Sequence, residues 1–208
     1  MEAFESITGT AAPLFRANID TDTLIPSPLI TNASREGYGP KLLGGWRYEA
    51  DFKTERPDFI LNQPAWRNSC ILIAGENFGC GSSREMAVWA VRQFGFRCMI
   101  APSFAPIFRQ NSLRNGLLPI TLPAKLVEQL ARRAEAAPAG WSVDLRDCSI
   151  TDPAGERHVF EIDAGEREQL LQGLDPISVT MKRADEIRAF ADADRRRRPW
   201  IWAGAADA

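Results

Sequence analysis

Residues 75–85 read GENFGCGSSRE, a glycine-rich turn between an apolar run and the start of a helical pattern. Such turns gather backbone N–H groups beside a helix N-terminus, where the dipole favours a phosphate or a carboxylate. Gly79 and Gly81 supply the positive φ that converging amides require. Arg84 falls in the first helical turn, where the dipole favours an acid. A guanidinium placed there points to an external carboxylate taken in a forked geometry. The chemistry this spacing suits is recognition of a small carboxylic acid, with the Ser82 and Ser83 hydroxyls beside it. A structural reading stands next to it. Ser82-Ser83-Arg84-Glu85 has the form of a capping box, worth about 1 kcal/mol. Capping accounts for Ser82 and Glu85 but leaves Gly79, Gly81 and Arg84 unexplained. Cys80, near a helix start, is a candidate activated thiol without an evident base.

Other chemistries fit less well. Gly79-x-Gly81-x-x-Arg84 lacks the third glycine of a dinucleotide fingerprint. No Gly-Lys-Ser/Thr follows, as a P-loop requires, and the Gly-x-Ser-x-Gly elbow of hydrolases is missing. The single histidine, His158 in ERHVFEI, rules out a His-rich metal site. Alternation there predicts a half-buried strand with His158 at its solvent edge, on a face with Glu156 and Phe160. Cys70, Cys80, Cys98 and Cys148 are too far apart for a CxxC-type metal motif. In NIDTD, residues 18–22, Asp20 and Asp22 suit an Asx-turn or half a calcium loop. Leu24 stands where the calcium loop needs another oxygen.

The elements that position these residues are legible in the middle of the chain. Residues 70–74 form an apolar run suited to a buried parallel strand. A helix is expected over 83–94, closed by Gly95. A strand follows over 98–101, then a helix over 104–114 with Phe104, Ile107 and Phe108 as its apolar stripe. Gly116 ends that helix and 117–122 is a third strand. Tight strand–helix–strand connections imply right-handed parallel crossovers, so the fold class is α/β with a parallel βαβαβ centre. A helix over 123–136 comes next. Short strands in WSVDL, CSITD and RHVFEI follow, with Asp152-Pro153-Ala154-Gly155 as a hairpin turn. Helices are expected at 164–173 and 181–193. Before the centre lies a long irregular stretch, 26–68, with five prolines; such loops often serve as lids or face partners. After it, RRRRPWIWAGAADA reads as a solvated run, with Trp200 and Trp202 leaving room for docking.

The totals agree with a core-forming protein. With 208 residues, 45% apolar and 25% charged, one domain is expected. A net charge of -2 argues against nucleic-acid or membrane-surface binding. MEAFESITGT has no secretory pattern, no apolar run reaches membrane length, and disulfides are not expected. Cytoplasmic placement follows as the expectation.

Three stretches together carry a family resemblance: NIDTDTLIP (18–26), GENFGCGSSRE (75–85) and IAPSFAPIFRQNSLRNGLLPI (100–120). In that order they closely resemble the small subunits of 3-isopropylmalate dehydratases, the detached swivel domain of the aconitase superfamily. The likeness runs from the N-terminus to GLDPISVT (173–180). It implies a swivelling β/β/α-type domain over 1–194, with a C-terminal hairpin and helices, and a tail at 195–208. It implies a hydro-lyase of leucine biosynthesis, active only with a large subunit, that isomerises 2-isopropylmalate to 3-isopropylmalate through isopropylmaleate. The substrate is then a small dicarboxylate hydroxy acid. No cofactor is expected on this chain; a [4Fe-4S] cluster on the large subunit would act as Lewis acid.

By the same resemblance Ser82 matches the catalytic base, and Ser83 and Arg84 match ligands of a substrate carboxylate. Thr21 and Asp22 match positions facing the cleft, with Asp20, Gly79, Cys80 and Gly81 in support. Residues 34–39 (SREGYG) resemble a mobile recognition loop in which Arg35 reaches a carboxylate and Tyr38 gives apolar cover. A plain flexible loop is the alternative. Asn111, Asn115 and Gly116 read as turn and cap residues. Met86 stands where the family often has histidine, on the apolar face of its helix. A small subunit acting on citraconate or dimethylmalate, and a stand-alone anion-binding module, remain open alternatives.

Overall fold

The computed structural model describes residues 1–30 and 34–202. Part of the irregular stretch (31–33) and the end of the expected tail (203–208) lie outside the described residues. The chain divides into two compact units, Met1–Gly173 and Leu174–Ala208.

The first unit opens with β1 (Ser6–Gly9), β2 (Ala11–Leu14) and the short helices α1 (Thr21–Leu24) and α2 (Gly44–Arg47). The expected centre follows as β3 (Ile71–Ala74), α3 (Glu85–Phe94), β4 (Cys98–Ala101), α4 (Pro106–Arg114) and β5 (Leu118–Thr121). These strands are parallel, and β2 joins them in the order β2-β3-β4-β5. The sequence reading missed β2, a four-residue strand containing Pro13 and buried throughout. Proline is tolerated because β2 is an edge strand. α5 (Ala124–Ala136) then packs back across β2, β3 and β4. β6 (Trp141–Asp144), β7 (Ser149–Thr151) and β8 (Arg157–Val159) make the expected hairpins, and β1 extends them into an antiparallel sheet ordered β1-β6-β7-β8. α6 (Ala164–Gln172) closes the unit.

Strand alternation divides the parallel sheet between two cores. Ala12, Leu14, Leu72, Ala74, Met99 and Ala101 pack with Ala87, Val88, Ala90 and Val91 of α3. Ile71, Ile73, Cys98, Ile100, Leu118 and Ile120 face Val127, Leu130 and Ala134 of α5 and Trp141, Val143 and Ile150 of the second sheet. The irregular stretch is not loose. Arg47, 5% exposed, donates from Nε to Asn62 Oδ1 (3.0 Å) and from Nη1 to the Pro40 carbonyl (3.1 Å). Burial pushes its pKa below the usual arginine value.

Three local expectations are corrected. α4 begins at Pro106, so Phe104 precedes it, and Ile107 is 53% exposed rather than part of a buried stripe. The inner face is Phe108, Ser112 and Leu113. His158 is not at a solvent edge: it is buried, with Nε2 3.9 Å from Asp152 Oδ2 and without a hydrogen bond. The third correction lies in the second unit. There the single helix expected at 181–193 is α7 (Pro176–Met181) and α8 (Ala184–Arg197), followed by α9 (Pro199–Trp202). Arg195, Arg196 and Arg197 finish α8, where the dipole favours cations. Asp194 accepts from Arg198 Nε (2.7 Å) and Trp202 Nε1 (3.1 Å), so the expected start of the tail at 195 falls within a helix.

Candidate active site

Loops leaving the carboxyl ends of β2, β3 and β4 converge, as ligand sites in parallel sheets do. In the loop after β3, Asn77, Gly79 and Gly81 all have positive φ. Gly79 has a second reason to be glycine: a Cβ there would lie 2.1 Å from Cγ of Phe108. Phe78 is buried, edge-on to Phe104 and Phe108. Its N–H donates to the Ser103 carbonyl (3.1 Å), and Ala105 N–H donates back to the Phe78 carbonyl (2.9 Å).

The loop after β2 is laced to the same turn. Gly79 N–H donates to the Ile19 carbonyl (2.8 Å) and Thr21 N–H to the Cys80 carbonyl (2.9 Å). The Thr21 hydroxyl donates to the Ser82 carbonyl (2.8 Å). Asp20, paired with Cys80 in an isolated bridge, caps α1 by accepting from Thr23 N–H (2.7 Å). Asp22 accepts from Arg84 Nη1 and from the Ser27 hydroxyl (3.2 Å).

The capping box does not form. α3 starts at Glu85 with Arg84 at its N-cap and no side-chain cap. The Ser82 carbonyl accepts from the Thr21 hydroxyl and from Arg84 N–H (2.8 Å), so the chain turns tightly at Ser83 and enters the helix only after Arg84. Glu85 accepts instead from Asn115 Nδ2 (3.1 Å), tying α3 to the C-terminal end of α4. Ser82 and Ser83 are exposed, and neither hydroxyl has a hydrogen-bond partner among the described residues. The amides of Gly81, Ser82 and Ser83 likewise donate to no carbonyl among the described residues. Free amides of this kind seek an anion.

A pocket of about 150 Å³ gathers Thr21, Gly79, Gly81, Ser82, Ser83 and Arg84 against Ile107, Phe108 and Asn111 of α4. Asp22 borders it through Arg84, and Asp20 and Cys80 brace it through backbone. Arg35 is not among its lining residues. The Arg35 guanidinium lies over the Trp89 ring, 5.3 Å from its centroid. The Arg35 carbonyl accepts from Gln93 Nε2 (2.5 Å), and Gln93 Oε1 accepts from Tyr38 N–H (2.8 Å). Tyr38 is 1% exposed, so it anchors residues 34–39 to α3 instead of covering the pocket. Met86 packs against the α3 core. Sequence reasoning missed Ile107 and Asn111 as lining residues. Their i, i+4 spacing, which puts both on one helix face, was the available signal.

Elsewhere, Asp152, Glu156 and His158 bring one possible ligand atom each within 4.8 Å of the others. Arg133 Nη1 is bonded to both carboxylates, at 2.6 Å to Glu156, and stands where a cation would. Among the described residues no three cysteines converge. Cys98 is buried on β4, its thiol pushed well up by burial and, to a smaller extent, by Cys70. No described helix is long and apolar enough to cross a membrane.

Comparison with known proteins gives a consistent picture. The aconitase C-terminal domain family matches residues 1–125. The 3-isopropylmalate dehydratase small subunit of Cupriavidus necator is 51% identical over 204 residues, covering 97% of this chain and 98% of that one. That of Rhodospirillum centenum is 48% identical over 201 residues, covering 96% and 98%. A crystal structure of 3-isopropylmalate dehydratase from Methanocaldococcus jannaschii has a TM-score of 0.60 at 27% identity, covering 89% of this chain and 99% of that one.

Proposed function

Because this chain belongs to the 3-isopropylmalate dehydratase small-subunit family, within the aconitase C-terminal domains, we propose that its exposed Ser-Ser-Arg loop is the base-bearing half of a hydro-lyase site completed by a large subunit. The reaction is the isomerisation of 2-isopropylmalate to 3-isopropylmalate through isopropylmaleate, in leucine biosynthesis.

The observation that carries this reading is the juxtaposition of two unpartnered serine hydroxyls, three free amides and a half-used guanidinium. Arg84 engages Asp22 through Nη1 alone, so Nε and Nη2 remain for a substrate carboxylate. Ser83 and the amides of residues 81–83 hold the same group, with Thr21 and Asp22 fixing the loop. Ser82, as alkoxide, takes the proton from the carbon beside a carboxylate; the C–H electrons form the double bond as hydroxide departs from the neighbouring carbon. Hydration of isopropylmaleate in the opposite regiochemistry then reverses these steps. A serine is a weak base without positive potential, and Arg84 with the amides supplies it. Arg35 joins only if residues 34–39 leave Trp89 in the complex.

The residues present do not suit a [4Fe-4S] cluster, since no three cysteines converge among those described. The cluster belongs on the large subunit in this reading, where it would supply a Lewis acid for the departing hydroxyl. The swivel domain of this reading is the unit Met1–Gly173, and the expected boundary at 194/195 falls inside α8. The test is reconstitution: this chain plus a cluster-loaded large subunit should form the unsaturated acid from 2-isopropylmalate, and neither chain alone should. Turnover by the small chain alone would refute the reading. Preference for citraconate or dimethylmalate in the same assay would reassign the substrate.

A further inference from the structure

α4 presents two residues of opposite character to the pocket. Ile107, in its first turn, is 53% exposed, and Asn111 lies one turn further on the same face. Three polar side chains nearby, on α4 or at its C-terminal end, are already engaged. The Ser112 hydroxyl donates to the Phe108 carbonyl (2.8 Å). Asn115 Nδ2 donates to the Asn111 carbonyl (2.9 Å) and to Glu85 (3.1 Å). Arg109 forms a two-pronged pair with Glu166, both bonds 2.6 Å. The Asn111 side-chain amide, by contrast, has no hydrogen bond among the described residues, although it lines the pocket beside Ser82, Ser83 and Arg84.

Its position is not free to drift. Gly79 lies against Phe108 too closely for any side chain, and Asn115 clamps α4 to the start of α3. The wall bearing Asn111 is therefore fixed relative to the Ser-Ser-Arg loop, as a binding group needs. An amide offers two donors as well as an acceptor, and the opposite wall is built for an anion.

We infer that Asn111 is a substrate-binding residue, donating from Nδ2 to the carboxylate that Arg84 and the loop amides receive. This rests on the function proposed above and adds a ligand on the second wall. Asn111→Asp keeps the shape and replaces the donor by a negative charge. In the reconstituted complex it should raise KM for 2-isopropylmalate by about 30-fold or more, and Asn111→Ala by about ten-fold, as loss of a charge-assisted hydrogen bond predicts. kcat should fall less, and the small subunit's Tm and affinity for the large subunit should stay near wild type. An Asp variant with unchanged KM in an active complex would overturn the assignment while leaving the proposed function intact. Equal KM changes in both variants with a lowered Tm would show a structural role instead. A wild-type complex with no turnover would remove the function and this assignment together. If the Asp variant does not fold, Asn111→Ser, which retains a short donor, should give a smaller KM rise than Ala; a rise equal to that of Ala would count against the inference.

Discussion

Arg84 and Asp22 meet through one guanidinium nitrogen across 62 residues of chain, joining the loop after β3 to the loop after β2. The pair is partly exposed, with Asp22 more so than Arg84. Such pairs contribute about 0–1 kcal/mol, so its significance is orientation. Arg84→Lys keeps the charge but loses the fork, and should raise KM by about ten-fold or more in the complex. Asp22→Asn should change KM less than Arg84→Lys does and lower stability by about 1 kcal/mol at most. Steady-state kinetics and thermal melting of the two variants separate these effects.

Ser82 and Ser83 are expected to fail differently. Ser82→Ala should lower kcat by about 10²–10⁴-fold while the subunits still assemble. Ser83→Ala should act mainly on KM. Near-wild-type kcat in Ser82→Ala would reduce Ser82 to loop architecture, since the capping role it could have had is not taken up.

Gly79 tests the loop itself. Alanine there combines a φ of +76 with a Cβ driven into Phe108. Strain and overpacking together cost about 3 kcal/mol, or roughly 6–12 °C in Tm for a chain of this length. Phe108→Ala, which removes the Cγ and Cδ1 that the new Cβ would meet, should partly rescue Gly79→Ala, and additive losses in the double variant would contradict the contact.

Carboxylates held below their ordinary pKa, Asp152 and Asp51 among them, set the acid limit of the fold. Burial raises the pKa of Asp152, but Arg133 and the amides of Glu156 and Ala154 outweigh it and hold it below the usual aspartate value. Asp51 is lowered to about 2, first by the Thr54 hydroxyl and then by the amides of Thr54 and Lys53. A depressed folded pKa adds stability that is complete above the unfolded value, near 3.9, and is lost as pH falls through the folded one. Melting temperature should therefore drop between about pH 4 and pH 2. Asp152→Asn should be less stable at pH 7 and show a shallower acid decline.

The fold's centre was legible because its signals are local. Apolar runs at 70–74, 98–101 and 117–122, with Gly95 and Gly116 between them, announce strands and helix ends without tertiary help. β1 and β2 were not legible, because Ser-Ile-Thr-Gly has no apolar run, β2 contains a proline, and each acquires its identity from a distant partner, β6 or β3. The site divides the same way. Gly79, Gly81 and Arg84 could be read from loop chemistry and dipole sense. The loss of the capping box could not, since it depends on a hydroxyl 61 residues upstream holding the Ser82 carbonyl. The placement of Arg35, read as reaching a carboxylate, and of Tyr38, read as apolar cover, was not legible for the same reason: in this structure Trp89 and Gln93 of α3 hold them.

The pairing of β2 with β3 has a consequence for synthesis. The segment from Ala11 to Thr21 leaves the ribosome long before Ile71–Ala74 and Ser82 exist to receive it. At about 5–20 residues per second, the nascent N-terminus spends several seconds with its apolar strand uncovered. β1 waits longer still, until Trp141–Asp144 emerges. Chaperone demand should thus concentrate on the first fifteen residues, and a bulky N-terminal fusion would burden biogenesis more than the finished subunit.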